Sequence, residues 1–199
     1  MRKLLLFYFF INPILQQAQE RFEVKQIGFS MDAPVNWLEV ENKEVLQNLE
    51  NFDFTEEERN KLLSSNNSAN EIVTYYKYHP SKFNGIIPTV KIRTRNVNSK
   101  TLTEFIKLIE NSNVQVSKTL KNFEYQKKPE IIILSGKQII SFTIKFTLSH
   151  NGKECPIVSY SYYVLKNGYY ISINFIEDYT TENNFEFFQS ILNSIQLKD

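Results

Sequence analysis

The sequence has few of the residues on which several common classes of protein depend. Only one of its 199 residues is a cysteine, Cys155, so no disulfide can form within the chain. Only two are histidines, His79 and His150, and they lie far apart in the sequence. Zinc sites use about four nitrogen, sulfur or oxygen ligands at short, recognisable spacings. We therefore expect neither a bound metal nor a cofactor.

Glycine is also scarce, with five residues. Loops that bind phosphate need glycine where the backbone adopts a positive φ or approaches the ligand closely. The sequence contains no phosphate-binding loop motif, no dinucleotide fingerprint and no Gly-x-Ser-x-Gly nucleophile motif. By contrast, phenylalanine (16) and tyrosine (11) are abundant, and aromatic residues suit strands. This composition favours a sheet-rich fold over a nucleotide-dependent enzyme.

Three arrangements of reactive side chains remain, and each has an ordinary structural explanation. Cys155 follows His150 across an Asn-Gly turn, but a small thiol at the start of a strand needs no catalytic role. Glu177 and Asp178 are adjacent on a predicted strand, so their side chains point in opposite directions and do not flank one bond. The acidic residues 56–58 fall in the first turn of a predicted helix, where they favour the helix dipole. We therefore expect that the protein is not an enzyme.

The charged residues are almost evenly balanced, with 23 basic and 22 acidic side chains and a net charge of +1. Nucleic-acid-binding domains usually carry a basic surplus concentrated on one face, so we expect no nucleic-acid partner. No stretch after residue 18 approaches the roughly 18 apolar residues that a membrane-spanning helix needs. We therefore expect no membrane span in the mature chain.

The first 18 residues have the parts of a secretory signal peptide. Arg2 and Lys3 provide a positive start, a mostly apolar stretch covers residues 4–15, and Ala18 offers a small residue for cleavage. A buried strand or helix at this place is the alternative interpretation. We predict that residues 1–18 are a signal peptide, and that the mature protein is periplasmic or extracellular. With a single thiol, its fold then depends on a hydrophobic core.

Three segments have the signals of a helix. Thr55 and Glu58 form a capping box, and Thr101 and Glu104 form a second one. The third predicted helix covers residues 181–194, and its sequence places Phe185, Phe188, Leu192 and Ile195 on one face. The helix after Thr101 has an apolar stripe at the spacing of helical turns, formed by Leu102, Phe105, Ile106 and Ile109.

The remaining apolar pattern alternates, which is typical of strands. Five residues from Ile140 to Leu148 share one face of a strand, and the Asn-Gly pair at 151–152 is a strong hairpin signal. Further strands are predicted at residues 71–78, 89–96, 157–165 and 169–176. The predicted order is a strand, a helix, two strands, a helix, three or four strands and a helix. Residues 19–199 should therefore form one α+β domain, an antiparallel β-sheet with helices packed on it.

Three stretches of this sequence resemble the PsbP-like fold family, which includes the extrinsic photosystem II protein P and secreted bacterial relatives. The first is an early strand that runs into a Pro-x-x-Trp element at residues 28–37. The second is the late hairpin at residues 162–173, and the third is the end of the last helix at residues 188–195. The resemblance implies an α/β/α sandwich and a binding or assembly-support role, usually without enzymatic activity. It transfers no site residues.

Two groups of side chains are candidates for binding. Lys91, Arg93 and Arg95 share one face of a strand over about 13 Å, at roughly 3.3 Å per residue, and could receive an anionic partner. The alternative is a solvated sheet face, or an ion pair with a neighbour such as Glu71. The second group is a crowd of tyrosines on the late strands, and exposed tyrosines often mark an interface, although cross-strand pairing is an alternative explanation. The tyrosine candidates are Tyr160, Tyr162 and Tyr170.

The sequence thus predicts an exported, non-enzymatic protein that binds another protein of the bacterial cell envelope or supports its assembly. The alternative is a module that binds a carbohydrate or a small molecule through an aromatic sheet face. Neither prediction follows from fold analogy alone, because unrelated functions occur on the same fold.

Overall fold

The strands in the described part of the chain form two antiparallel sheets, and the two described α-helices pack on the larger one. A computed structural model describes residues 20–40, 55 and 69–198. The predicted signal peptide and the capping box that begins at Thr55 lie outside the described residues, apart from Thr55 itself. The described strands are β1 (Arg21–Val24), β2 (Phe29–Asp32), β3 (Leu38–Val40), β4 (Ala69–Tyr76), β5 (Thr89–Asn96), β6 (Lys121–Leu134), β7 (Lys137–His150), β8 (Lys153–Leu165), β9 (Tyr169–Asp178) and β10 (Gln196–Leu197). The helices are α1 (Leu102–Val116) and α2 (Phe185–Ser194).

The large sheet has seven strands in the order β3-β4-β5-β9-β8-β7-β6, and the small sheet has the order β1-β2-β10. The strands β6 to β9 form the predicted meander, in which β6 is the fourth strand that the sequence left open. Between β7 and β8, Asn151 (φ 50°) and Gly152 (φ 71°) both adopt positive φ, as a two-residue hairpin turn requires. The predicted α+β class is confirmed.

The alternation of side chains gives the large sheet two distinct faces. Tyr163 pairs with Ile140, and Tyr170 pairs with Leu165 of β8, so these side chains point to the face covered by α1. Tyr162 pairs with Ile173 and points to the opposite face, which α2 covers. We call these the α1 face and the α2 face. With one helix on each side, the large sheet is the middle layer of an α/β/α sandwich.

The start of α1 agrees with the prediction. The Oγ1 atom of Thr101 accepts a hydrogen bond from the backbone N–H of Glu104 at 3.2 Å. The carboxylate of Glu104 reaches back to the N–H of Lys100, one residue before the position expected for a capping box. Phe105 and Ile109 are buried against the α1 face, so the predicted apolar stripe is the packing surface of this helix.

The last helix begins later than its sequence suggests. A helix from Thr181 is predicted, whereas α2 starts at Phe185. The carboxylate of Asp178 accepts hydrogen bonds from the N–H and the hydroxyl of Thr180, which holds the chain in a turn. The carboxylate of Glu177 then accepts from the N–H and the side-chain amide of Asn184. These bonds occupy the backbone groups that an earlier helix start would use.

The small sheet joins distant parts of the chain on the α2 side. Phe29 and Met31 of β2 are buried in the main core, together with Phe188 of α2. Gly28 has a φ of 62°, and its carbonyl oxygen accepts a hydrogen bond from the N–H of Lys198 at 2.7 Å. A Cβ atom at Gly28 would lie only 2.5 Å from the carbonyl oxygen of Lys198. Glycine is therefore required by both backbone conformation and space.

Neither helix in the described ranges is long and apolar enough to cross a membrane.

Candidate functional site

A cleft of about 430 Å³ lies between α1 and the α1 face of the large sheet. Residues from three strands and a helix form its walls. We call this cavity the arginine cleft. It is bounded by Arg93 and Arg95 of β5, Tyr163 of β8, Tyr170 of β9 and Asn113 of α1. Two of the three cations predicted for binding and one of the three predicted tyrosines thus lie in one cavity.

The two arginines reach the cleft because of the strand register. Arg93 pairs with Ser172 and Arg95 pairs with Tyr170, so both side chains lie on the α1 face. Among the described residues that line the cleft there is no aspartate or glutamate. Among all the residues that the structure describes, no carboxylate lies within ion-pair distance of Arg95. The described lining of the cleft therefore contains two cations and no carboxylate.

Lys91, the third predicted cation, is engaged in an ion pair. Its Nζ lies 2.6 Å from a carboxylate oxygen of Glu71, and the two side chains are only 12% and 11% exposed. The other oxygen of Glu71 accepts a hydrogen bond from the hydroxyl of Thr74. Burial, together with the charge of Arg93, lowers the pKa of Lys91, and Glu71 opposes this shift. Lys91 therefore forms the ion pair with Glu71 that the sequence offered as the alternative to binding an anionic partner.

Stacked aromatic rings form the wall of the cleft beside the arginines. The rings of Tyr163 and Tyr170 are stacked, with centroids 5.1 Å apart and planes at 22°. Phe105 of α1 packs on Tyr170 at 4.9 Å. Burial of its phenol group raises the pKa of Tyr163, Tyr170 adds to this effect, and the nearby arginines oppose it. The hydroxyl of Tyr163 therefore stays protonated throughout the physiological pH range.

The other two predicted tyrosines lie on the α2 face. Tyr162 is 7% exposed, and its ring packs edge-on against Phe175. Tyr160 packs against Phe185 and Phe188 of α2, and burial raises its pKa. The structure thus separates Tyr160 and Tyr162 from Tyr170, and these residues do not form one aromatic surface.

The remaining reactive side chains, the cysteine and the two histidines, make local contacts with neighbouring residues. Cys155 is buried beside Ile86 and Ile157, and its thiol contacts the carbonyl oxygen of Lys153. The imidazole of His79 accepts a hydrogen bond from the N–H of Ser81, at the start of a short 3-10 helix.

The ring of His150 lies 2.8 Å from the side-chain carbonyl oxygen of Asn84. In the described ranges, no group of three or more histidine, cysteine, aspartate or glutamate residues is placed to hold a metal ion.

Several residues of the cleft were not candidates from the sequence. Tyr163 follows Tyr162 and points to the other face, and alternation alone does not reveal which face a helix leaves partly open. Asn113 donates a hydrogen bond from its side-chain amide to the hydroxyl of Tyr125 at 2.7 Å, which fixes the far end of α1 on β6. Neither the position of α1 nor the opening beside it has a local sequence signal.

No protein-family model matches the sequence, and no curated protein shows significant similarity to it. The solution structure of cyanobacterial PsbP (CyanoP) from Synechocystis sp. PCC 6803 is similar to this chain, with a TM-score of 0.53 and 12% identity. The match covers 90% of this chain and 92% of that one. The fold is PsbP-like.

Two further solved structures are similar to this PsbP-like chain. One is a protein from Bacteroides thetaiotaomicron VPI-5482, with a TM-score of 0.48 and 10% identity over 90% of this chain and 48% of that one. The other is LpqN, which is involved in cell envelope biogenesis of Mycobacterium tuberculosis. It has a TM-score of 0.48 and 10% identity, over 93% of this chain and 88% of that one. At these identities the comparisons concern the PsbP-like fold, and the site must be argued from the cleft itself.

Proposed function

We propose that the protein is an exported, non-enzymatic binding protein of the bacterial cell envelope, and that it binds an anionic ligand in the arginine cleft. The observation that carries this proposal is the pair Arg93 and Arg95 in a concave site without a described acidic residue. Guanidinium groups present rigid forks of N–H donors that match carboxylate and phosphate oxygens. Ligand binding is the alternative function that the sequence predicts, through an aromatic face of the sheet. The binding site proposed here is the arginine cleft instead.

The chemistry of the cleft supports binding without catalysis. Its described lining contains no cysteine, histidine or carboxylate that could act as a nucleophile or a general base. The phenol of Tyr163 has a raised pKa, which makes it a poor base at neutral pH. Such a lining can hold an anion and has few groups that could transform it.

Photo-crosslinking in the native host tests the proposal. A photoreactive residue replaces Leu108, an exposed residue of α1 that lines the cleft, and we expect an adduct with a component of the envelope. Arg95→Gln in the same chain should reduce this adduct at least tenfold, because a charge-assisted contact is lost. Lys128→Gln, which removes an exposed cation on β6, is the matched control and should leave the adduct unchanged. Equal adducts with and without Arg95 would refute the proposed site.

A second candidate function, support of another envelope protein, is favoured by the outer edge of β6. Ile131 and Ile133 are 42% and 65% exposed, and no other described strand pairs with this edge. Exposed edge strands can pair with an extended segment of a partner. In crosslinking mass spectrometry, Ile133→Lys should then remove crosslinks from Lys128 to a protein partner, whereas Arg95→Gln should retain them. Crosslinks that survive Ile133→Lys would exclude this edge.

A further inference from the structure

The register of β5 and β9 places a cation directly beside an aromatic ring. Arg95 and Tyr170 are paired residues on neighbouring strands, and both side chains lie on the α1 face. Arg93 lies two residues before Arg95, about 6.6 Å away along the strand. A ligand that contacts this part of the cleft therefore meets two guanidinium groups and, beside them on the same sheet face, an aromatic ring.

The aromatic surface is fixed before any ligand arrives. Tyr170 stacks on the ring of Tyr163 and packs at an angle against Phe105 of α1, and both tyrosines remain partly exposed. An aromatic side chain that is already ordered loses little entropy on binding, so it is a favourable surface for a ring with an apolar face. A free phosphate ion would use the arginines and leave this surface unused.

The rim of the cleft is rich in neutral polar groups. Asn96 is the last residue of β5, Asn98 follows that strand, and Ser112 and Asn113 come from α1. Amide and hydroxyl groups both donate and accept hydrogen bonds, which is what a ligand with several hydroxyl groups requires. The volume of about 430 Å³ lies within the roughly 300–1,000 Å³ that is usual for pockets of small ligands.

We infer that the arginine cleft binds an acidic saccharide, with its carboxylate on Arg93 and Arg95, a ring face on Tyr170 and hydroxyl groups on the asparagines of the rim. This inference rests on the proposed function and specifies the ligand class of the same site. The three features occur together in one ligand class: an anionic group, a ring with an apolar face and several hydroxyl groups.

Calorimetric titration of the exported full chain tests the ligand class with defined probes. The probes are glucuronate, N-acetylneuraminate, trigalacturonate, and trigalacturonate whose carboxyl groups have been reduced to alcohols. We expect at least one of the three acids to bind, and the reduced trisaccharide to bind at least tenfold more weakly than trigalacturonate if that acid binds. Inorganic phosphate and vesicles that contain phosphatidylglycerol are the competing anions, and both should bind more weakly than the acid.

Variants separate the contributions of charge and ring. Arg95→Gln should weaken binding of the acid about tenfold or more, and Arg95→Lys should recover only part of it because the guanidinium fork is lost. Tyr170→Leu should weaken binding of the acid, while Tyr170→Phe should not, because only the flat ring is required. Lys128→Gln is the matched charge control. Thermal melts check that each variant is folded.

The two proposals fail in different ways. If none of the three acids binds, or if phosphate or the vesicles bind more tightly than every acid, the saccharide inference is overturned. If the envelope adduct from residue 108 still depends on Arg95 in that case, the cleft remains a binding site for another anion. If the adduct does not depend on Arg95, the proposed function is refuted as well.

Discussion

Removing one partner of the ion pair between Lys91 and Glu71 should destabilise the protein strongly. At 2.6 Å and an effective dielectric constant of about 20, the two charges attract each other by roughly 6 kcal/mol. Much of this attraction is offset by the hydration that both side chains lose, since each is only about a tenth exposed. Lys91→Met leaves the carboxylate of Glu71 buried without its cation, and we expect the free energy of unfolding to fall by about 3–5 kcal/mol.

The double variant Lys91→Met with Glu71→Leu is the decisive comparison. It removes both charges and leaves apolar side chains of similar volume, so its stability should return to within about 1–2 kcal/mol of the natural chain. Urea denaturation measures all three free energies. For a protein of this size, the single variant should also melt at a temperature lower by about 6–20 °C.

Two results would refute this reasoning. A loss below about 1 kcal/mol in Lys91→Met would mean that the pair behaves like a solvated surface ion pair. A double variant as unstable as the single one would mean that the loss comes from packing, because the charge of Glu71 would then make no difference.

Other perturbations test the rest of the fold. Burial raises the pKa of Tyr75 and Tyr163 above the ordinary 10.0, so above pH 10 the unfolded state releases protons that the folded state keeps. The free energy of unfolding should therefore fall from pH 10 to pH 12, and a constant value in urea titrations would contradict this. Asn184→Ala removes a donor to the buried carboxylate of Glu177 and should cost about 1–3 kcal/mol in urea denaturation; no loss would show that this bond is dispensable. Gly28→Ala forces a side chain into a left-handed backbone conformation and against the carbonyl oxygen of Lys198. The backbone conformation alone should cost about 1–2 kcal/mol, which lowers the melting temperature by several degrees. An unchanged melting temperature would refute the close approach.

The elements that could be predicted from sequence are those whose signals are local. The Asn-Gly pair at 151–152 specifies its turn because both residues tolerate positive φ, and Thr101 specifies the start of α1 because its hydroxyl lies three residues from the N–H that it binds. The alternating pattern likewise places Arg93 and Arg95 on one strand face. These features need no knowledge of the rest of the fold.

The elements that could not be predicted depend on distant contacts. The two residues of β10 have no strand signal of their own and exist as a strand because they pair with β2. The late start of α2 depends on two carboxylates of β9 that bind its leading segment. The arginine cleft depends on which face α1 covers, and that is decided by packing between elements. The PsbP-like resemblance supplied the layers of the fold and no part of the cleft.

The small sheet also sets the order in which the protein can fold. The guanidinium group of Arg21 donates a hydrogen bond to the carbonyl oxygen of Ser194, across 173 positions of sequence, and β2 pairs with residues 196–197. Contacts of such long separation form late, because the intervening chain must first be synthesised and brought together. While the ribosome still holds residues 194–198, β2 has no partner on one side and the core around Phe29 stays open. The small sheet and the core beside Phe29 are therefore completed only after residues 194–198 have left the ribosome.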